Sequence, residues 1–467
     1  MGSPSAIARP RSLIRGQLAA TAAAASGFYV TPSFILFALA LAVLFCLITL
    51  RPAWGIALIA LTIPFYVPPL PKPILGYRFS PVEIFTLVTV AAWLLRSFLD
   101  TGTAVKHGRW QLSRPRFFRA DWAVLAFLAV ATLSLLVADF RDVAVSEWRV
   151  VIFEPFLFYV LLRFVRLKDS EMWIILDAFV LSGVVIALYG LWQYATGQNL
   201  ITAEGGLMRL RSIYGSPNNV ALYLDRLLPL LTAVWLLGTR AHHGRRRYFY
   251  SVAIIPVVIA LVLTFSKGAR FLGVPLSLVV VFWLWQRAAG RRTWPWVLAG
   301  AVTGLAALLA AAQISALAAR LDLFGTTGFF RINLWRAAVN MIAENPWLGV
   351  GLDNFLYAYR GRYILDAAWQ EPNLNHPHNI ILDFATRIGL IGLLVGAWLL
   401  GETTRIIATA IRRANRQWLP VAAGFAGSLA AMLAHGLVDH SLFLVDLAFF
   451  FFLMLGITIW IKENRST

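Results

Sequence analysis

The chain is a succession of apolar blocks of about 17–23 residues, the length a helix needs to cross the hydrocarbon core of a bilayer. They fall at 34–50, 53–70, 81–99, 121–138, 150–165, 172–194, 218–238, 249–265, 271–287, 294–316, 379–400, 417–437 and 443–460. Charged residues make up only 13% of the 467 positions, about half of what a soluble domain carries. The ten-residue alternation of a membrane barrel is absent. These features predict an all-α, polytopic transmembrane helical bundle of about 12 spans.

The formal net charge is +19, but the cations sit in short loops between apolar blocks. That pattern reflects topology and contact with anionic membrane lipids, and no nucleic acid is expected as a partner. Cys46 is the single cysteine, so an internal disulfide is excluded, and no Cys/His zinc spacing occurs. The basic N-terminus (Arg9, Arg11, Arg15) precedes an apolar run longer than a signal peptide, which reads as a retained anchor.

Loop charge orients the blocks. The segment 96–120, with Arg96, Lys106, Arg109, Arg114, Arg116 and Arg119, is expected inside, as are the basic connections 163–168, 240–247, 287–292 and 405–416. Both termini are then cytoplasmic only if one early block is not a simple span. The pair around Arg51 and Pro52 is the candidate for a broken or re-entrant element. The expected organisation is N-terminal transmembrane helices over 1–316, a long, partly helical periplasmic segment over 317–378, and C-terminal transmembrane helices over 379–467. Within the long segment, Phe330–Ile342 has helical periodicity, closed by Pro346 and the Gly349–Gly351 pair.

Four polar motifs share the outer face. They are Arg209 and Arg211 leading to Gly215–Asn219, the turn Ser266–Arg270 with Lys267, the helix start Arg331–Arg336, and Asn375-His376-Pro377-His378-Asn379. Guanidinium forks bind phosphate oxygens bidentately, and histidine moves a proton near neutral pH. The combination at a lipid interface points to a lipid-linked pyrophosphate donor and an acceptor hydroxyl. Each arginine also fits a simple interfacial anchor. His-Pro-His lacks a nearby carboxylate in sequence, so no metal is expected. His435 and His440 read as interfacial or core histidines. Glu83, Glu154, Asp177, Asp225, Arg226, Asp383, Arg387 and Asp446 fall inside apolar blocks, where ionisable groups are functional candidates by default. Asp225–Arg226 and Asp383–Arg387 are expected to be local ion pairs, and a relay through such charges keeps a secondary transporter as the non-enzyme alternative.

His378-Asn379 followed by Gly389 and Gly392 resembles the His-Asn…Gly-x-x-Gly signature of the O-antigen ligase family, within the wider ligase/polymerase superfamily. Arg331…Trp335…Asn345-Pro346…Gly349…Gly351, Arg211…Pro217-Asn218 and Ser266-Lys267-Gly268 resemble further superfamily motifs. Together the motifs span roughly 200–400. The family turn usually reads Ser-Arg-Gly, so Lys267 is a departure, and Arg270 is the other residue placed to meet phosphate.

The resemblance implies a cell inner-membrane glycosyltransferase of lipopolysaccharide biosynthesis. It would move O-antigen from undecaprenyl pyrophosphate (donor) to a sugar hydroxyl of lipid A–core (acceptor), inverting the anomeric centre without a cofactor or metal. His378 is then the general base, and Arg211, Lys267, Arg270, Arg331, Arg336, His376 and Asn379 bind substrate. An O-antigen polymerase and a protein O-oligosaccharyltransferase remain open within the same superfamily.

Overall fold

A computed structural model describes residues 11–30, 33–67, 72–74, 77–106, 117–202, 206–292 and 326–464. The fold is all-α. The only strands among the described residues form two short antiparallel pairs, Lys72–Ile74 with Tyr77–Phe79 and Ile201–Thr202 with Met208–Arg209. Nine described helices are long and apolar enough to cross a membrane: Pro81–Thr101, Arg119–Leu136, Asp169–Ala195, Pro217–Leu237, Arg240–Leu263, Ala269–Ala288, Ile380–Arg413, Leu419–Gly436 and Val445–Asn464. The expected block at 294–316 lies outside the described residues. The block at 150–165 belongs to a helical run broken into Arg141–Glu147, Trp148–Phe153 and Glu154–Phe164. Glu147, Arg149, Glu154 and Arg163 make that run too charged to count among the nine.

The chain's contacts group it into two units, one of residues 1–115 with 157–182, the other of 116–156 with 183–467. In the first, helices Ile35–Leu50 and Pro52–Thr62 meet at a bend of 118°, so the expected broken pair is centred on Arg51. Pro52 cannot donate to the preceding turn; the Ile48 carbonyl it would have met accepts from Arg51 N–H at 3.0 Å, and the Leu50 carbonyl accepts from Arg96 Nη1 at 2.5 Å. The Arg51 side chain pairs with Glu171 at 2.7 Å. The break therefore leaves few polar groups unmatched.

The second unit carries all four polar motifs. Its helix Val445–Asn464 is almost wholly buried, as a helix apolar on every side must be. Helix Leu419–Gly436 packs along Pro217–Leu237 and Val274–Ala288. The long segment is partly helical, as its periodicity implies. Its main helix, Thr326–Glu344, buries Leu334, Ala337, Ala338 and Met341 against Phe355, Tyr359 and Tyr363.

The helix Ile380–Arg413 is interrupted at Gly389, whose φ of 72° and ψ of −176° leave the helical region. A Cβ there would lie 2.0 Å from the carbonyl oxygen of Trp347, so only glycine fits. The gap is filled by the Asn345–Gly351 loop. Leu390 N–H donates to the Pro346 carbonyl at 2.7 Å, and the Thr386 carbonyl, which a continuous helix would offer to Leu390, accepts from Val350 N–H at 2.8 Å. Two motifs about forty residues apart are thus one docked unit, and they fix the entrance of the helix that begins with His378-Asn379.

Candidate functional site

Asn379 caps that helix. Its amide oxygen accepts from Ile381 and Leu382 N–H at 3.0 and 3.2 Å, satisfying two orphan donors. Its amide nitrogen donates to the Leu437 carbonyl at 3.1 Å, so both ends of the side chain are engaged within the protein. The chain then turns sharply at His378, which has φ 48°, a conformation that non-glycine residues hold mainly where the surroundings enforce it. Trp335 Nε1 donates to the Pro377 carbonyl at 2.9 Å and ties this turn to the loop helix.

The centre of the site is Asp439, on the turn between helices Leu419–Gly436 and Val445–Asn464. Its Oδ1 lies 3.1 Å from His378 Nδ1 and 3.2 Å from His376 Nε2, and it accepts from the His440 backbone N–H at 2.9 Å. Burial of the Asp439 carboxyl favours its neutral acid, but His378 and the hydrogen bonds from both imidazoles outweigh this and hold it well below the usual carboxylate range. His376 is buried and, through that burial and the neighbouring His378 and His440, sits well below the ordinary histidine value. It is therefore neutral, with Nε2–H donating to Asp439. Its Nδ1 then accepts, which requires the Asn375 amide, 2.7 Å away, to present its NH2. His378 donates through Nδ1–H, leaving the lone pair of Nε2 on a side chain that is 20% exposed. A carboxylate that fixes Nδ1–H and frees Nε2 prepares a histidine to accept a proton.

A second layer holds this cluster. His440 stacks on His376 and its Nδ1 lies 3.2 Å from Asp383 Oδ2. Asp383 pairs with Arg387 at 2.7 Å, as its i,i+4 spacing implies. Arg387 also grips Glu147 with Nη1 at 2.5 and 2.6 Å. Asp353 stands 4.0 Å from the same guanidinium. The other expected local pair does not form. Asp225 bonds His435 rather than Arg226, because adjacent residues on a helix point about 100° apart. His435 and His440 are both partners of buried carboxylates, more than the packing histidines the sequence implied.

Two arginines lie within electrostatic reach of Asp439. Burial lowers the Arg331 and Arg209 guanidinium values, and the Asp439 carboxylate opposes that lowering in both. Arg209 also donates to the Thr264 carbonyl at 2.8 Å and to Asn218 Oδ1 at 2.9 Å. It thereby joins the loop, the Pro217-Asn218 motif and the Ser266 turn. Arg211 donates instead to the Asn199 carbonyl at 3.2 Å. Lys267 is exposed, with no hydrogen bond or ion pair among the described residues. Arg270 reaches across the turn to the Val262 carbonyl of the preceding helix at 3.0 Å and lies over the Phe265 ring. Arg336 is exposed on the loop helix.

The missing carboxylate beside His-Pro-His is thus supplied from another part of the chain. His376, His378 and Asp439 offer three donor atoms within 4.8 Å of one another, a set able to take a metal ion. The residues that sequence reasoning passed over are Asp439, Arg209 as the inward arginine, and His440. Asp439 follows the last buried turn of a span in a carboxylate-poor chain, and that was the one local signal for it.

An apolar groove of about 690 Å3 opens along the bundle, lined among others by Phe271, Leu276, Ile381, Leu393, Leu433 and Leu437. Ile381 and Leu437 are two residues from Asn379 and Asp439 respectively, so the groove shares its helix ends with the histidine cluster.

Comparison with known proteins agrees with the motifs. Residues 250–397 match the sequence family described as O-antigen ligase. The chain is 26% identical over 366 residues to an O-antigen ligase of Salmonella typhimurium, covering 71% of this chain and 84% of that protein. The motifs and both comparisons thus point to one family, and the matched stretch includes the His378-Asn379 and Gly389–Gly392 residues.

Proposed function

From this likeness to O-antigen ligases, we propose that the protein is a member of that family, a membrane glycosyltransferase that joins O-antigen polysaccharide to lipid A–core. The donor is O-antigen on undecaprenyl pyrophosphate, presented at the periplasmic face of the inner membrane. The observation that carries this reading is the His378–Asp439 pair, with Arg209 and Arg331 within electrostatic reach of the carboxylate and an apolar groove, suited to a polyprenyl chain, lined by residues next to Asn379 and Asp439 in the chain.

His378 Nε2 takes the proton of an acceptor sugar hydroxyl. The hydroxyl oxygen attacks the anomeric carbon as the bond to the pyrophosphate oxygen breaks, which inverts that centre. Arg209, Arg331 and Lys267 stabilise the charge growing on the departing pyrophosphate, where fixed cations act most strongly. Of the two residues in the turn, Lys267 is the one open to a phosphate, since Arg270 is engaged at the helix surface. Arg387 and Asp383 hold His440, and with it the orientation of His376 and Asp439. Arg336 and Arg211 line the approach for anionic substrate. The mechanism uses no metal, because guanidinium and ammonium groups do the charge balancing.

Gene deletion followed by a lipopolysaccharide gel tests the reading. Core without O-antigen, with full-length polymer retained on the lipid carrier, is the expected result. Core capped by a single repeat would make the protein a polymerase, and an unchanged ladder would favour a protein O-oligosaccharyltransferase or a transporter.

A further inference from the structure

The turn between helices Arg240–Leu263 and Ala269–Ala288 rests on a buried Asp–His pair. His435 Nδ1 lies 2.6 Å from Asp225 Oδ2, inside the bundle. That bond fixes the tautomer, with Nδ1–H donating and Nε2 left as acceptor. Nε2 faces Ser266 Oγ at 3.5 Å, so the serine hydroxyl donates to it. Ser266 Oγ accepts in turn from Ala269 N–H at 3.5 Å, at the start of the next helix. Gly268 lies flat on the same ring, where a Cβ would come within 2.4 Å of His435 Cδ2. Two residues of the turn, on either side of Lys267, are therefore seated on one imidazole.

His435 stands four residues before Asp439. A single short turn thus carries the seat of the Lys267 loop at one end and the anchor of His378 at the other. A purely structural pair is an expensive choice here, because buried ionisable groups in a membrane bundle are costly and apolar side chains fill such space more cheaply. The carboxylate is also committed to His435 while the neighbouring Arg226 guanidinium, equally buried, makes no hydrogen bond among the described residues.

We propose that Asp225 and His435 are positioning residues for the donor's pyrophosphate. They set the height of the Ser266–Gly268 turn so that Lys267 meets the phosphates, and they hold that turn in register with the base. The inference rests on the glycosyltransferase reading and deepens it.

The test uses full-length protein in nanodiscs, with undecaprenyl pyrophosphate as binding probe and steady-state transfer as the second readout. His435→Ala and Ser266→Ala should each weaken probe binding and raise the donor KM about tenfold, with acceptor KM unchanged and kcat nearly so, the signature of lost donor binding. Ser266→Ala leaves the Asp225–His435 bond in place, so it reports on the turn even where His435→Ala folds poorly. His435→Gln, which keeps one donor and one acceptor, should recover most of the binding. In a Lys267→Ala background, His435→Ala should add little, because the two act through one element. Additive losses, or a fall in kcat with donor KM unchanged, would reduce the pair to packing. Wild-type binding with unshifted variants overturns the inference alone. Failure of the wild type to bind undecaprenyl pyrophosphate would overturn the donor assignment, and the inference with it.

Discussion

Asp439 holds the Nδ1 edge of His378 at 3.1 Å across 61 residues of chain. The bond decides which nitrogen of His378 carries the free lone pair, and in the proposed mechanism it makes the carboxylate part of the catalytic group. Asp439→Asn can present its amide NH2 to Nδ1 and stabilise the wrong tautomer. Asp439→Asn and His378→Ala should both lower kcat by about 10²–10⁴-fold, the usual scale for general base catalysis. Wild-type rates in well-expressed His378→Ala protein would remove the base from the mechanism.

Arg331→Ala and Arg209→Ala should each cost about 2–4 kcal/mol of transition-state stabilisation. Arg331→Lys should recover little, because an ammonium lacks the two-pronged donor geometry. Arg211→Ala should cost less than Arg209→Ala, since Arg211 is turned toward Asn199. Equal losses for the two, measured as kcat/KM, would contradict the assignment of Arg209 as the inward arginine.

His376 gives a stability prediction with a definite sign. Its folded-state value is depressed, so the folded protein keeps it neutral while the unfolded chain protonates it at the ordinary value of about 6.5. Its contribution to stability is complete above that pH and is lost as pH falls below it toward the folded value. The unfolding temperature in detergent should fall on mild acidification, and His376→Gln should flatten the fall. A variant with the wild-type slope would mean that other groups set it.

Gly389→Ala tests the docked loop. A left-handed φ and a Cβ driven onto the Trp347 carbonyl should together destabilise the protein by about 2 kcal/mol or more. Thermal unfolding is the direct measure, and transfer should fall as well because His378 sits at the same helix entrance. An unchanged melting curve would mean that the helix tolerates continuity there.

Transfer should persist in excess EDTA with purified protein, lipid-linked donor and lipid A–core. Activity lost to EDTA and restored by Mg²⁺ or Mn²⁺ would replace the cation cradle with a metal mechanism. The ligands to examine first would then be His376, His378 and Asp439.

The membrane fold was legible in the chain because crossing a bilayer imposes a requirement on length and composition that every block must meet by itself. The break at Arg51-Pro52, the loop helix beginning near Phe330 and the Asp383–Arg387 pair were equally local, each set by proline chemistry, periodicity or i,i+4 spacing. The motifs also marked His378, Arg331 and the Ser266 turn. Only the tertiary structure chose Asp439 as the partner of both histidines, Arg209 over Arg211, and His435 over Arg226 as the partner of Asp225. Those choices depend on which way a side chain points once helices distant in sequence are packed, and a buried charge takes whichever opposite group the packing brings within reach.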